Sequence, residues 1–301
     1  MVAAASRQGR ALSETIRLES GGASATVSTW GAEPVAWSAG GRDLLWSGDA
    51  AFWPRVSPVL FPIVGRVRDS ELRFGGKSYP MEIHGFAPES EFSVVERSGD
   101  AVRLVLEDNK ETRKRYPFAF QLEVAYRLTK DAFSTEFRVV NRGDKLLPFA
   151  LGFHPGFRWP FAGGGRGDYA IEFEAAEEPF VPVITAEGLF SSEKRPVPLQ
   201  GRRLPLDENV LAREALCFLD ARSRSVRFVG PGGSIRMSAE NFSHWALWSL
   251  PGAPFVSIEA WTGHGDPEGF AGDITEKPSM RFLEPGGATR HHVEFHWQPE
   301  T

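Results

Sequence analysis

The chain has 301 residues, of which 42% are hydrophobic and 12% aromatic. That composition is enough for a packed core and excludes an intrinsically disordered chain. A formal net charge of −5 gives no basic surface field to attract nucleic acid or anionic lipid. We therefore expect a neutral or modestly polar small-molecule ligand, with neither nucleic acid nor membrane as a partner.

Cysteine content and the amino-terminal segment indicate the compartment. Cys217 is the only cysteine, so no disulfide within the chain can form, and its apolar neighbours predict a buried strand thiol. A reducing cytoplasm is the expected location. Arginines and polar residues interrupt roughly the first 15 residues before the apolar region of a signal peptide develops, which predicts a loose terminus. The sequence also lacks the roughly 18 or more consecutive apolar residues of a membrane helix.

Short runs that alternate between apolar and polar residues recur along the chain. A period of two is typical of half-buried β-strands, and no stretch of 11 or more residues has helical periodicity. The predicted strands are 25–30, 92–96, 102–106, 120–126, 133–140, 170–174, 225–229, 234–238 and 289–297.

Glycine and proline clusters separate these runs evenly, and none is long enough to act as a linker between domains. No internal repeat is visible. The sequence therefore predicts an all-β protein, with residues 1–301 forming one domain of large antiparallel sheets packed as a sandwich.

The first polar residue of interest is Arg66, which ends the run FPIVGR at residues 61–66 after two aromatic-rich loops. A guanidinium fork suits two neighbouring sugar hydroxyls or a carboxylate. An ordinary surface ion pair with Asp69 or Glu71 is an equal alternative from these residues alone.

A histidine followed by glycine comes next, at His84 and Gly85 in an apolar run. Glycine permits close approach of the backbone or of a ligand. A structural role is the more frequent one for a lone histidine in such surroundings, so these residues alone leave the function of His84 open.

Residues 151–157 read LGFHPGF. In an extended conformation, Gly152, His154 and Gly156 lie on one face while the apolar side chains lie on the other. This arrangement predicts an imidazole with open space on both sides, which suits a ligand packed against the sheet.

Residues 255–261 read FVSIEAW. Alternation predicts that Val256, Ile258 and Ala260 enter the core, which leaves Glu259 on the opposite face between Phe255 and Trp261. Sugar C–H faces pack on such rings, and partial burial raises the pKa of a glutamate towards neutrality. The alternative is a solvent-facing glutamate on an ordinary strand.

Other aromatic and histidine residues suggest less. Trp245 and Trp248 lie in the aromatic strand at 241–248 and are expected to pack mainly in the core. Four further histidines lack the spacing of metal ligands and are expected to be structural or exposed. They are His264, His291, His292 and His296.

Taken together, four segments resemble, in order and at similar separations, the motif series of the aldose 1-epimerase (galactose mutarotase-like) family, closest to its LacX-like branch. The resemblance spans about residues 44–297. The segments are LFPIVGR at 60–66, HGFA at 84–87, GFHPGF at 152–157 and IEAW at 258–261.

The resemblance implies a galactose mutarotase-like β-supersandwich with an open sugar cleft and neither a metal nor an organic cofactor. It assigns the family's general acid to His154, its general base to Glu259, its second histidine to His84 and its sugar-binding arginine to Arg66. With Trp261 and Phe255 as aromatic contacts, we expect a cytoplasmic aldose 1-epimerase that is a monomer or homodimer.

Two departures from the family pattern bear on the substrate. Pro88 stands where relatives commonly have an arginine that resembles a phosphate ligand in the hexose-6-phosphate branch, and Ala260 replaces a proline. Arg68 and Arg73, with Arg66, are the candidates to compensate for the lost cation. No position matches the family's sugar-binding aspartate.

Four alternatives remain from the sequence. A catalytically silent carbohydrate-binding protein of the same fold, or a hexose-6-phosphate mutarotase, would keep the cleft. A cupin-like enzyme would use His84, His154 and Glu259 as metal ligands. A glycosidase would need a second acid about 5–10 Å from Glu259, for which Asp220 and Glu240 are the candidates.

Overall fold

The alternating pattern does produce β-strands along the whole described chain. The computed structural model describes residues 13–300, so most of the predicted loose terminus lies outside the described part. The strands in chain order are β1 (Thr15–Ser20), β2 (Ala23–Ser28), β3 (Pro34–Ala39), β4 (Arg42–Asp43), β5 (Val59–Leu60), β6 (Glu71–Phe74), β7 (Lys77–Pro80), β8 (Ser93–Arg97), β9 (Ala101–Glu107), β10 (Phe120–Leu128), β11 (Ala132–Asn141), β12 (Leu147–Phe149), β13 (Gly152–Phe153), β14 (Gly156–Arg158), β15 (Ala170–Phe173), β16 (Phe180–Ile184), β17 (Phe190–Pro196), β18 (Arg203–Pro205), β19 (Leu216–Phe218), β20 (Ser225–Gly230), β21 (Gly233–Glu240), β22 (His244–Trp248), β23 (Phe255–Trp261), β24 (Arg281–Leu283) and β25 (Ala288–Pro299).

Helical structure within residues 13–300 is confined to short segments. They are the helix α1 (Lys110–Arg113) and 3₁₀ turns at Arg68–Ser70, Ala87–Glu89 and Arg166–Asp168. In the described part, no helix combines the length and apolar character needed to cross a bilayer.

The largest sheet has nine strands in the order β18-β15-β20-β21-β25-β11-β10-β9-β8. Its pairs are antiparallel, and the long strands β10, β11 and β25 form its centre. In β10, side chains from Phe120 to Leu128 alternate between buried and partly exposed. This alternation fixes the register, because a slip of one residue would turn every apolar side chain to the solvent face.

A second sheet holds the polar segments. Its order is β19-β22-β23-β13-β5, and β14 also pairs with β23. All seven residues of β23 are buried. Val256, Ile258 and Ala260 belong to the main apolar core, as the alternation predicted.

One continuous cluster of buried apolar side chains extends from Ile16 in β1 to Trp297 in β25. Together with the antiparallel sheets, this cluster confirms the all-β sandwich architecture. A smaller cluster lies on the other face of β23 and contains Trp46, Ala253 and Phe255, with Trp53 and Trp248 packed against it. The second sheet therefore separates the core from an aromatic layer.

Candidate active site

A cleft of about 770 Å³ opens beside β23, on the side of the second sheet that carries the aromatic layer. Its volume is in the range of small-molecule sites. Five of the six predicted site residues line it, and the sixth, Phe255, does not. The five are Arg66, His84, His154, Glu259 and Trp261.

His154 occupies a break between two short strands. β13 pairs Gly152 with Trp261, and β14 pairs Gly156 with Ser257, so both strands lie on the same edge of β23. Pro155 follows His154 at the break, and its carbonyl accepts the backbone N–H of Ile258. The imidazole of His154 consequently lies beside the Glu259 side chain.

Gly152 and Gly156, on either side of His154, have a structural role that differs from the predicted one. A Cβ on Gly152 would lie 3.1 Å from the Trp261 ring, and a Cβ on Gly156 would lie 3.0 Å from the Trp53 ring. The prediction that these glycines leave open space for a ligand was therefore wrong. Gly152 leaves room for Leu60, whose Cδ1 would be 2.8 Å from such a Cβ, and for Trp261, while Gly156 leaves room for Trp53; all three side chains line the cleft.

Glu259 is the buried carboxyl group of the cleft, with 1% of its surface exposed. Its Oε2 accepts a hydrogen bond of 2.9 Å from Trp261 Nε1, and its Oε1 lies 3.3 Å from His154 Nε2. The two groups that the sequence separates by about a third of the chain therefore meet in one wall.

Burial favours the uncharged form of both partners. It raises the pKa of Glu259 well above its ordinary value, although the Trp261 hydrogen bond opposes this effect. It also lowers the pKa of His154 well below 6.5, with help from the nearby charges of His84 and Arg55. The short contact is therefore best described as a neutral carboxylic acid and a neutral imidazole that share one proton, and not as an ion pair.

His84 lies across the cleft from this pair. Its ring centroid is 5.6 Å from that of His154, and the rings are nearly perpendicular. Burial, then Arg55 and Arg66, lowers the pKa of His84 to about 3. Its Nδ1 accepts the backbone N–H of Gly65 at 3.1 Å, so the proton of the neutral ring is on Nε2 and is available as a donor.

The backbone around His84 explains its placement. A Cβ on Gly85 would lie 2.2 Å from the carbonyl oxygen of Phe61. Gly85 has a φ of +79°, which glycine adopts without a steric penalty. Only a residue without a side chain lets this turn close against Phe61, the residue after β5, and hold His84 at the cleft.

Arg66 lines the mouth of the cleft. The alternative ion pairs do not form, because Asp69 pairs with Arg68 and Arg73, and Glu71 also pairs with Arg73. A Cβ on Gly188 would lie 2.5 Å from Arg66 Cδ, so this glycine makes room for the arginine stem.

Arg68 and Arg73, the two other arginines expected to compensate for Pro88, are outside the cleft lining. Arg55 is in that lining, where its Nη1 donates to the carbonyl of Pro88 at 3.2 Å and its guanidinium pairs with Glu89. The cation nearest to the position of the missing family arginine thus comes from a different segment.

The aromatic walls differ from the predicted ones. Trp53 lies over His154 with ring centroids 4.9 Å apart, and Trp248 meets the same imidazole edge-on at 5.8 Å. Phe255 is fully buried and stacks behind Trp53 at 5.4 Å. Two expectations were wrong: Trp248 is a cleft residue, and Phe255 supports the wall without reaching the cleft.

The acids proposed for a glycosidase are not in this cleft. The Asp220 side chain is 90% exposed and Glu240 is also exposed, and neither lines the cavity. Glu214 does line it, paired with Arg195 at 2.6 Å. Within residues 13–300, no three His, Cys, Asp or Glu side chains are grouped so as to hold a metal ion.

Comparison with known proteins identifies the family of the chain. Residues 14–296 match the family model for aldose 1-epimerase. The chain belongs to the aldose 1-epimerase family. Protein LacX of Lactococcus lactis subsp. lactis is 31% identical over 235 residues, which cover 74% of this chain and 79% of LacX.

Solved structures share the fold of this chain. A galactose mutarotase-like protein from Lactobacillus casei superimposes with a TM-score of 0.88 at 29% identity and covers 94% of this chain and 100% of its own. A galactose 1-epimerase from Lactobacillus acidophilus has a TM-score of 0.70 at 15% identity, with 95% of each chain covered. The predicted mutarotase-like architecture is therefore confirmed.

Proposed function

We propose that this member of the aldose 1-epimerase family interconverts the α and β anomers of a neutral aldose. The observation that carries the proposal is the 3.3 Å contact between His154 Nε2 and Glu259 Oε1 in the wall of the cleft. In a cyclic sugar, the ring oxygen and the C1 hydroxyl oxygen are both bonded to C1. Two proton-transfer groups that lie this close together can therefore reach both oxygens of one substrate.

The reaction begins when the shared proton of the resting neutral pair moves from Glu259 Oε1 to His154 Nε2, which gives an imidazolium acid and a carboxylate base. Glu259 takes the proton of the C1 hydroxyl while His154 gives its proton to the ring oxygen, and the bond between C1 and the ring oxygen breaks. The aldehyde then rotates about the C1–C2 bond. Closure on the other face returns both protons, so the pair ends as it began and the proton count balances within the site.

The other cleft residues bind and orient the sugar in this proposal. His84 donates from Nε2 near the ring oxygen, and Arg66 holds distal hydroxyls with its guanidinium fork. The Trp53 and Trp248 rings offer apolar faces to sugar C–H groups. Trp261 contacts the sugar with its ring while its N–H holds Glu259.

Charge at the cleft favours an uncharged sugar over a phosphorylated one. Arg55 is paired with Glu89, and Arg195 is paired with Glu214. Arg66 and Arg115 remain as lining arginines for which residues 13–300 provide no ion pair, and Glu82 lies near Arg115. Hexose 6-phosphate is the secondary candidate, because Pro88 stands where the phosphosugar branch has its arginine and the Arg55 guanidinium at Pro88 is already paired with Glu89.

The test uses freshly dissolved single anomers of a panel of aldoses, with hexose 6-phosphates included, followed by polarimetry or NMR. The wild type should accelerate the approach to equilibrium for at least one sugar. His154→Ala should reduce that acceleration by about 10²–10⁴-fold. His296→Ala is the matched control and should leave the acceleration unchanged, because His296 lies in β25 of the nine-stranded sheet and is not part of the cleft lining.

A catalytically silent carbohydrate-binding protein is the rival function. It predicts that a sugar binds, for example by tryptophan fluorescence titration, while no anomer of the panel exchanges faster than in buffer. That result would reject the enzymatic proposal.

A further inference from the structure

Ser257 is a residue of β23 that contacts the other edge of the His154 ring. Its Oγ lies 2.8 Å from His154 Nδ1 and 3.0 Å from the carbonyl oxygen of Pro155. It is fully buried, so no solvent molecule competes for these contacts. β14 pairs Gly156 directly with Ser257, which fixes the hydroxyl at this place.

The hydrogen atoms in this contact can be assigned by counting. A carbonyl oxygen only accepts, so the contact with Pro155 requires the single hydroxyl proton of Ser257. The serine oxygen then has only lone pairs to offer to His154. The imidazole must therefore donate from Nδ1, because the opposite assignment would set two oxygen lone pairs against each other at 3.0 Å.

We propose that Ser257 is a positioning residue that keeps His154 in the Nδ1–H tautomer, so that Nε2 is the only ring nitrogen that exchanges a proton at the cleft. The inference rests on the proposed function for its catalytic consequence, since Nε2 is the atom that faces Glu259 Oε1. The tautomer itself is a property of the protein alone.

The Glu259 side of the pair is fixed in the same manner. Trp261 Nε1–H donates to Oε2, which leaves Oε1 as the oxygen that faces His154. Trp261, as a donor to Oε2, and Ser257, as an acceptor from Nδ1–H, thus leave Oε1 and Nε2 as the two atoms that share the mobile proton. Each of these fixed hydrogen bonds removes one alternative site for that proton.

The direct test is nitrogen-15 NMR of the imidazole rings in the wild-type protein, with the His154 signals assigned from their loss in His154→Asn. The expected spectrum has a protonated Nδ1 and an unprotonated Nε2 in the neutral ring. A wild-type His154 protonated at Nε2 overturns the inference, even if the protein is a fully active mutarotase.

Variants separate this role from a packing role. Ser257→Ala should increase the Nε2–H tautomer and lower kcat by about 10–100-fold, because the buried imidazole loses its partner. Ser257→Thr retains the hydroxyl and should restore both readouts. The matched control is Ser249→Ala, which also removes a buried hydroxyl that donates to a backbone carbonyl, here that of Phe255 at 2.6 Å. This control should change neither the His154 tautomer nor kcat.

The outcomes also distinguish this inference from the proposed function. If no sugar is turned over but the tautomer depends on Ser257 as described, the positioning role stands and the enzymatic proposal fails. If Ser257→Ala keeps the wild-type tautomer, the positioning role fails whatever the activity.

Discussion

Replacing Glu259 by glutamine tests two claims. The first is that the buried carboxyl group is uncharged in the resting protein, and the second is that the same group acts as the catalytic base once it has lost its proton. The amide has the same size and can keep both contacts, since its oxygen accepts from Trp261 Nε1 and its NH₂ donates to His154 Nε2. Burial raises the pKa of Glu259 well above its ordinary value, so the substitution exchanges one uncharged group for another.

Two magnitudes follow from this geometry. The free energy of unfolding of Glu259→Gln should lie within about 1 kcal/mol of the wild type, because no buried hydrogen bond is lost. The rate of anomer exchange should fall by about 10²–10⁴-fold, equivalent to about 3–5 kcal/mol in the barrier, because an amide cannot accept the C1 hydroxyl proton. Glu259→Ala, in contrast, should also destabilise the fold by about 2–4 kcal/mol.

The assays are urea unfolding and polarimetry on the same preparations, with the exposed Glu240→Gln as control. Wild-type exchange rates in Glu259→Gln would refute the assignment of the base. A loss of several kcal/mol in stability with the amide would refute the neutral pair, since it would mean that the structure depends on a buried carboxylate.

Three further predictions concern the surroundings of the pair. Burial lowers the pKa of His154 well below 6.5, so the His154–Glu259 pair should take up a second, inactivating proton only below that pH. In a profile of kcat/KM against pH, an acidic loss of activity centred at or above pH 6.5 would contradict this. Trp53→Ala removes the ring over His154 and should raise KM by about tenfold, whereas the adjacent Phe52→Ala should not. Glu33→Ala leaves two buried backbone N–H groups of the loop before β5 without acceptors, and should lower the free energy of unfolding by about 2–5 kcal/mol in urea titrations without changing the pH profile.

Sequence patterns were sufficient for the fold because a period of two is a local signal. Every predicted strand range overlaps an observed strand, and the final one, at 289–297, lies within β25. The core-facing set Val256, Ile258 and Ala260 was also correct. Alternation alone therefore located the strand that carries Glu259 and the face on which it lies.

The cleft walls could not be predicted in the same way, because they come from segments with no regular pattern. Trp53 and Arg55 belong to an irregular loop, and nothing in their spacing indicates that they reach His154 and Pro88. The role of the glycines beside His154 was wrong for a related reason. Period-two reasoning gives the direction of a side chain but not which distant side chain fills the space next to it.

The most direct test of the shared-proton pair is a double-variant comparison by exchange NMR on an equilibrated aldose, where α and β anomers interconvert without net reaction. Groups that act as one unit are strongly non-additive. After subtraction of the spontaneous rate, we predict that His154→Asn, Glu259→Gln and the double variant have the same residual exchange. A double variant whose loss equals the product of the two single losses would contradict the account, because it would mean that the two side chains act in independent steps.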